Sequence, residues 1–177
     1  MSLARATGAP VVLTHNGVSY EITPLTLRDF GQVEAQAILA YKKERYKAAK
    51  QFAEMHDGDE QTTLLRQARI DYDSTELESL PKKKMTVKIK GDNRMMDGPY
   101  AAWWLSETTD GRIFGIWLSL RHRRPDLTLD DVDAIFTGHI AAGVDEDLLE
   151  SFADTLGDIS MPRPTLPPGA TLVEAAT

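Results

Sequence analysis

Four histidines, His15, His56, His122 and His139, are the side chains that most readily offer metal or acid–base chemistry here. Zinc sites of the zincin type, for example, pair histidines at i, i+4 on one helix. None of the four has a partner at that spacing, and each falls in a different predicted element, so no metal site is expected. His122 suits a helix C-terminus, where a cation complements the carbonyl end of the dipole. Acids are abundant, yet a general acid needs burial or a like-charged neighbour, which abundance alone does not supply. Asp130, Asp131 and Asp133 occupy the first turn of a predicted helix, where carboxylates are stabilising without any catalytic role. Asp92, Asn93, Asp97 and Gly98 have the composition of a calcium loop but lack its liganding order and its glutamate at the twelfth position. There is no nucleophile-elbow serine motif, phosphate-binding glycine loop or dinucleotide-binding glycine run. The absence of cysteine excludes disulfides, thiolate metal sites and thiol nucleophiles. The sequence predicts no enzyme and no cofactor.

Two basic clusters, Lys82 to Lys90 and Arg121 to Arg124, can meet phosphates. The second ends one predicted helix immediately before another, a joint with the outline of a helix-turn-helix. A recognition helix after that joint would carry base-reading Arg, Asn or Gln. This one carries Asp130, Asp131 and Asp133, which repel a duplex. The joint itself is well specified: Pro125 lacks the amide that would continue a helix and pushes Arg124 out of the α region. Thr128 followed by Asp131 has capping-box spacing, so a helix is predicted to start at once. Arg121, Arg123 and Arg124 are expected in the last turn of the helix before.

The elements that position these residues are mainly helical. Val11–His15 and Val18–Ile22 flank Asn16-Gly17, the pair that best accepts the positive φ angles of a tight hairpin turn. Pro24 closes this β-hairpin, and Thr26 with Asp29 repeats the capping logic, so a helix is predicted from Leu27. Leu27, Phe30, Val33, Ala37, Ala40 and Tyr41 give it one apolar stripe. From Lys42 the stripe thins, with Phe52 and Met55 as last anchors. His56-Asp57-Gly58-Asp59 breaks the helix, and a second, carrying Leu64, Leu65, Ala68 and Tyr72, runs towards Leu80. A projecting helical hairpin follows, too sparsely apolar to stand alone without a second copy or another protein.

Met85, Val87 and Ile89 alternate with Thr86, Lys88 and Lys90, the period of a half-buried strand that can pair with the N-terminal hairpin. The hydrophobic centre is Tyr100, Trp103, Trp104 and Leu105, then, after a turn at Asp110-Gly111, Ile113, Phe114, Ile116, Trp117 and Leu120. The spacing of Trp117 with Ile113, Phe114 and Leu120 is that of a core face rather than a base-stacking platform. Val132, Ile135, Phe136 and Ile140 follow the joint. After a break near Gly143 comes a last helix with Leu148, Leu149, Phe152 and Leu156.

The fold class expected is mainly α with a small β element: an N-terminal β-hairpin, a helical body and the projecting hairpin. Residues 1–25 form the N-terminal arm and hairpin, and 26–158 the body, with 42–91 as a charged helical hairpin and strand insertion. The proline-rich 159–177 form an extended tail. Charge is uneven along this plan. Residues 1–124 hold 19 Lys and Arg against 16 acids, whereas 125–162 hold 10 acids and no Lys or Arg. Such a block solvates a face or meets a basic surface. No apolar run is long enough for a membrane span, and Met1 to Pro10 lacks the core of a signal peptide.

The hairpin leading into Ile22-Thr23-Pro24-Leu25-Thr26-Leu27-Arg28-Asp29-Phe30 is the first of two stretches that together resemble a known family. The other is the helix Gly115-Ile116-Trp117-Leu118-Ser119-Leu120-Arg121 with Arg124-Pro125-Asp126-Leu127-Thr128-Leu129-Asp130-Asp131-Val132. Together they resemble the tail assembly chaperones of long-tailed bacteriophages, over Val11 to Phe30 and Tyr100 to Ile140. Lys42 to Gly91 is longer and more charged than the connection expected there. The resemblance implies a non-enzymatic protein that coats the tape measure protein, helps recruit tail tube subunits, acts in the host cytoplasm and is absent from the mature virion. Members are often made in a short and a frameshifted long form. The binding work would fall to exposed apolar residues beside charged ones, as in a clamp for an amphipathic helix. The candidates are Phe30, Val33, Tyr41, Trp104, Trp117 and Leu120, with Arg121 and Arg124 guiding acidic partner segments. Two other functions stay open: a structural subunit retained in a virion, possessing an interlocking arm, and a nucleic-acid-binding regulator. Self-association is compatible with either protein-binding role.

Overall fold

Val11–His15 (β1) and Val18–Ile22 (β2) pair antiparallel with His15 opposite Val18, leaving only residues 16 and 17 to connect them. The computed structural model describes residues 10–15, 18–89, 92–137, 149–152 and 154–155. The Asn16-Gly17 turn, residues 1–9, His139, Ile140, the break near Gly143 and the proline-rich tail lie outside the described residues. Strand alternation decides which face of the hairpin is covered. Ile22 is buried, and Leu13 and Tyr20 pack against the core, while Val12 faces water.

Helix α1, Leu27–Ala53, starts as its cap predicts. The Thr26 N–H donates to Asp29 Oδ2 at 2.8 Å and the Asp29 N–H donates to Thr26 Oγ1 at 3.3 Å, a complete capping box. Phe30, Val33, Ala37, Ala40 and Tyr41 turn towards the core. Leu27 does not: as the first helical residue it lies off that stripe and is 92% exposed. Past Tyr41 the core cluster takes nothing more until Leu80, so the second half of α1 leaves the body. Among the described residues its main cover is α2, Gly58–Ser74, packed through buried Ala53 and Ala68 and an edge-on contact of Tyr46 with Tyr72. The reversal uses Gly58 at φ 60, where an L side chain would be strained. Helix α2 stops at Ser74 rather than Leu80, and the 3-10 turn Leu77–Ser79 completes the return.

The next strand corrects the sequence expectation. Lys83–Ile89 (β3) pairs with Asp92–Gly98 (β4), not with the N-terminal hairpin, in register from Lys83 opposite Gly98 to Ile89 opposite Asp92. The segment with a calcium loop's composition is therefore a strand. The root of this second hairpin leans on the helix that follows: Lys83 lies over the Trp103 ring and the Thr86 N–H donates to Glu107 Oε1.

Helices α3, Tyr100–Glu107, and α4, Thr109–Arg121, meet at Thr108 rather than at Asp110-Gly111. Thr108 Oγ1 donates to the Trp104 carbonyl at 2.6 Å and accepts from the Gly111 N–H at 3.1 Å, ending one helix and capping the next. Gly111 is a helix residue in close contact, not a turn: a Cβ there would stand 1.9 Å from the Trp104 carbonyl oxygen. Helix α4 is the centre of the molecule, with Ile113, Phe114, Ile116, Leu118 and Leu120 buried and α1, α3, β2 and the next helix packed around it. Helix α5, Leu129–Thr137, adds Val132 and Phe136, and the helical residues 149–152 add Leu149 and Phe152. Phe152 closes against both Tyr20 and Phe136 in edge-on contacts. Each such apolar side chain taken fully from water stabilises the fold by about 2 kcal/mol.

Candidate functional site

The Arg-rich joint is built onto the start of α1. Helix α4 ends at Arg121, and His122, Arg123 and Arg124 follow it, so only Arg121 of the three arginines lies in the last helical turn. Arg121 donates to Asp29 Oδ1 at 3.2 Å and to Gln32 Oε1 at 2.7 Å, while its guanidinium lies over Trp117, 4.5 Å from the ring centre. His122 Nε2 stands 2.9 Å from Asp29 Oδ2. Asp29 is buried. Burial pushes its carboxyl up, but the Thr26 hydroxyl and amide, with His122, outweigh that and hold it below the ordinary carboxylate range.

One turn back, Ser119 is buried and locks the same junction. Its Oγ donates to the Thr23 carbonyl at 2.6 Å and accepts from the Thr23 N–H at 2.9 Å; Thr23 Oγ1 donates to the Ser119 carbonyl at 2.6 Å. Arg123 reaches Glu21 on β2 and Arg124 reaches Asp126, both at 3.2 Å and both open to water. The predicted cap after the proline is present: Thr128 and Asp131 exchange backbone and side-chain hydrogen bonds, which hold the Asp131 carboxyl low. Trp117 Nε1 donates to the Leu127 carbonyl, so the loop between the helices is tied back onto α4.

These contacts redistribute the candidate binding residues. Val33, Trp104 and Leu120 belong to the core, at 2, 6 and 5% exposure. They are not the exposed apolar surface expected of a clamp. Helical spacing marks an apolar face without saying whether protein or solvent covers it. Phe30 and Trp117 are half-buried against that core, and Tyr41 meets Tyr100 edge-on. Arg121 is engaged within the chain, whereas Arg124 is exposed beside Asp126. A shallow groove of about 310 Å³ lies alongside, between Tyr20, Leu120, Leu127 and Ile135, with Arg123 and Arg124 at its rim.

The other groove lies on the projecting arm, and of the candidate binding residues only Tyr41 lines it. It holds about 370 Å³ between α1 and α2, lined by Tyr41, Arg45, Ala48, Phe52, Ala68 and Tyr72. Phe52, Met55 and Ile70 on this arm are more than half exposed. The available signal was the thinning stripe after Tyr41, which left apolar side chains without a core to enter.

Among the described residues no group of three or more metal-binding side chains converges, and no helix is long and apolar enough to cross a membrane. Comparison with protein-family models, curated proteins and solved structures gave no match.

Proposed function

We propose that this chain is a non-enzymatic tail assembly chaperone of a long-tailed bacteriophage, which binds the tape measure protein and helps recruit tail tube subunits. The observation that carries this reading is the meeting of the two stretches that bear the resemblance. Thr23 and Ser119, 96 positions apart, exchange their hydrogen bonds, and Asp29 takes Arg121 and His122 at the same junction. The resemblance thus falls on one structural unit rather than on two unrelated helix starts. The exposed apolar side chains of the arm supply a surface of the kind a chaperone for an amphipathic partner needs.

On this reading the protein works in the host cytoplasm and leaves before the particle is complete. Co-expression with a tape measure protein tests the reading. The tape measure protein should move from the pellet to the soluble fraction and co-purify with this chain. Failure to rescue it counts against the chaperone role. Abundant peptides of this chain in purified particles would favour a resident structural subunit instead.

A further inference from the structure

We infer that the groove between α1 and α2 of the projecting arm is the seat for an acidic amphipathic helix of a partner protein. Tyr41, Arg45, Ala48 and Phe52 follow at i, i+4, i+7 and i+11, so they line one face of α1. Ala68 and Tyr72 of α2 form the opposite wall, and the space between them is about 370 Å³. Alanines at the floor let a third helix approach closely, while Phe52, 52% exposed, gives it an apolar anchor.

Charge selects the occupant. Residues 42–50 carry five Lys or Arg against one Glu. Lys50 is paired with Glu54 and Lys42 lies over Tyr72, but Arg45 stands at the groove with no ion pair among the described residues. Asp71 is the one acid in the lining. A helix with an apolar stripe and flanking carboxylates satisfies both features.

A second copy is a poorer occupant among the described residues: its α2, with Asp59, Glu60, Asp71 and Asp73 against Arg66 and Arg69, turns Ala68 against its own α1 and leaves Ile70 as its one exposed large hydrophobic, too little for an apolar stripe. Its acidic α5 turns Val132 and Phe136 into its own core, and residues 149–152 turn in Leu149 and Phe152. A nucleic acid would gain from Lys42 and Arg45 but would leave Phe52 and the alanine floor against a phosphate backbone. The groove's walls and charge select this helix chemistry whether or not the partner is a tape measure protein.

The test uses the full chain and two synthetic helical peptides, each with leucines at i, i+4 spacing. One has glutamates flanking the leucines and its twin has lysines, and binding is followed by fluorescence anisotropy at low salt. The glutamate peptide should bind saturably and about tenfold more tightly than the lysine peptide, since charge sets specificity across such an interface. Arg45→Glu with Lys42→Glu should invert that preference. Ala48→Trp, which fills the groove from an exposed position, should abolish binding of both peptides while circular dichroism stays unchanged. Equal affinity for the two peptides, no binding, or binding indifferent to Ala48→Trp overturns the assignment. So does self-association that Ala48→Trp removes, or displacement of the glutamate peptide by a short DNA duplex. Failure of tape measure rescue with correct peptide discrimination would remove the chaperone reading alone.

Discussion

The Asp29 carboxylate and the His122 imidazole lie 2.9 Å apart, with Arg121 3.2 Å away on the other carboxylate oxygen, so the start of α1 and the end of α4 share one buried acid. Asp29 also closes the capping box of its own helix. One side chain therefore couples a local helix start to a contact 93 residues distant. Replacing Asp29 by Ala strands the cap amide, takes His122's carboxylate partner and leaves Arg121 with Gln32 and Trp117, and should cost about 3 kcal/mol of stability, as for a buried pair that loses one member. Urea unfolding at neutral pH measures it.

The same acid sets a pH dependence. Its folded pKa lies below the ordinary 3.8, so the stabilisation is complete at pH values above 3.8, where the carboxylate is charged in both states. As the pH falls below that value the unfolded chain takes up the proton first, and the contribution fades as the folded pKa is passed. Unfolding curves between pH 5 and about 2 should show wild-type stability falling more steeply than that of Asp29→Asn. Parallel curves would show that Asp29 is not the coupled group.

Two of the glycines within helices, Gly31 and Gly111, behave oppositely. Gly111 sits where a Cβ would meet the Trp104 carbonyl at 1.9 Å, whereas Gly31 on α1 has nothing within 4 Å. Gly111→Ala must push α3 and α4 apart and should cost roughly 3 kcal/mol. Gly31→Ala should stabilise by about 0.5 to 1 kcal/mol through helix propensity alone. Thermal unfolding of the two variants should shift in opposite directions.

What could be read from the sequence follows the range of the physics involved. Both capping boxes were legible because Thr26 with Asp29, and Thr128 with Asp131, act over three positions. The projecting arm was legible as a failing stripe. Strand β4 was not, since Asp92, Asn93, Asp97 and Gly98 have low strand propensity and are held by pairing with β3. The break at Thr108 was hidden by Asp110-Gly111, a pair with turn chemistry that here serves a close helix contact. The same limit applied to the candidate site. Arg121 reads locally as a helix-ending cation, and nothing local reveals that Asp29 and Gln32 consume it.

Ser119 separates a buried hydroxyl from a merely tolerated one. It satisfies both the N–H and the carbonyl of Thr23. Ser119→Ala should cost about 2 kcal/mol, because buried backbone groups lose their partner. Ser119→Cys, similar in shape but a weaker donor, should fall between. Chemical denaturation of the three proteins orders them, and an unaffected alanine variant would mean that the Thr23 segment does not depend on this lock.

Arg121 and the pair Arg123 and Arg124 make different predictions although they are neighbours in sequence. Arg121 serves a buried carboxylate, so Arg121→Ala should cost about 2 kcal/mol, the worth of a charged hydrogen bond. Arg123 and Arg124 face exposed Glu21 and Asp126, and exposed pairs contribute little. Arg123→Glu with Arg124→Glu should therefore leave the melting temperature nearly unchanged while reversing the charge at the rim of the groove between β2 and α5. Because the fold survives, any change in binding reports on the surface itself. With Asp130 and Asp131 beginning α5 beside that rim, the double reversal should weaken association with protein partners more than retention on immobilised DNA. Equal loss of both would mean that the rim acts only as a general positive field.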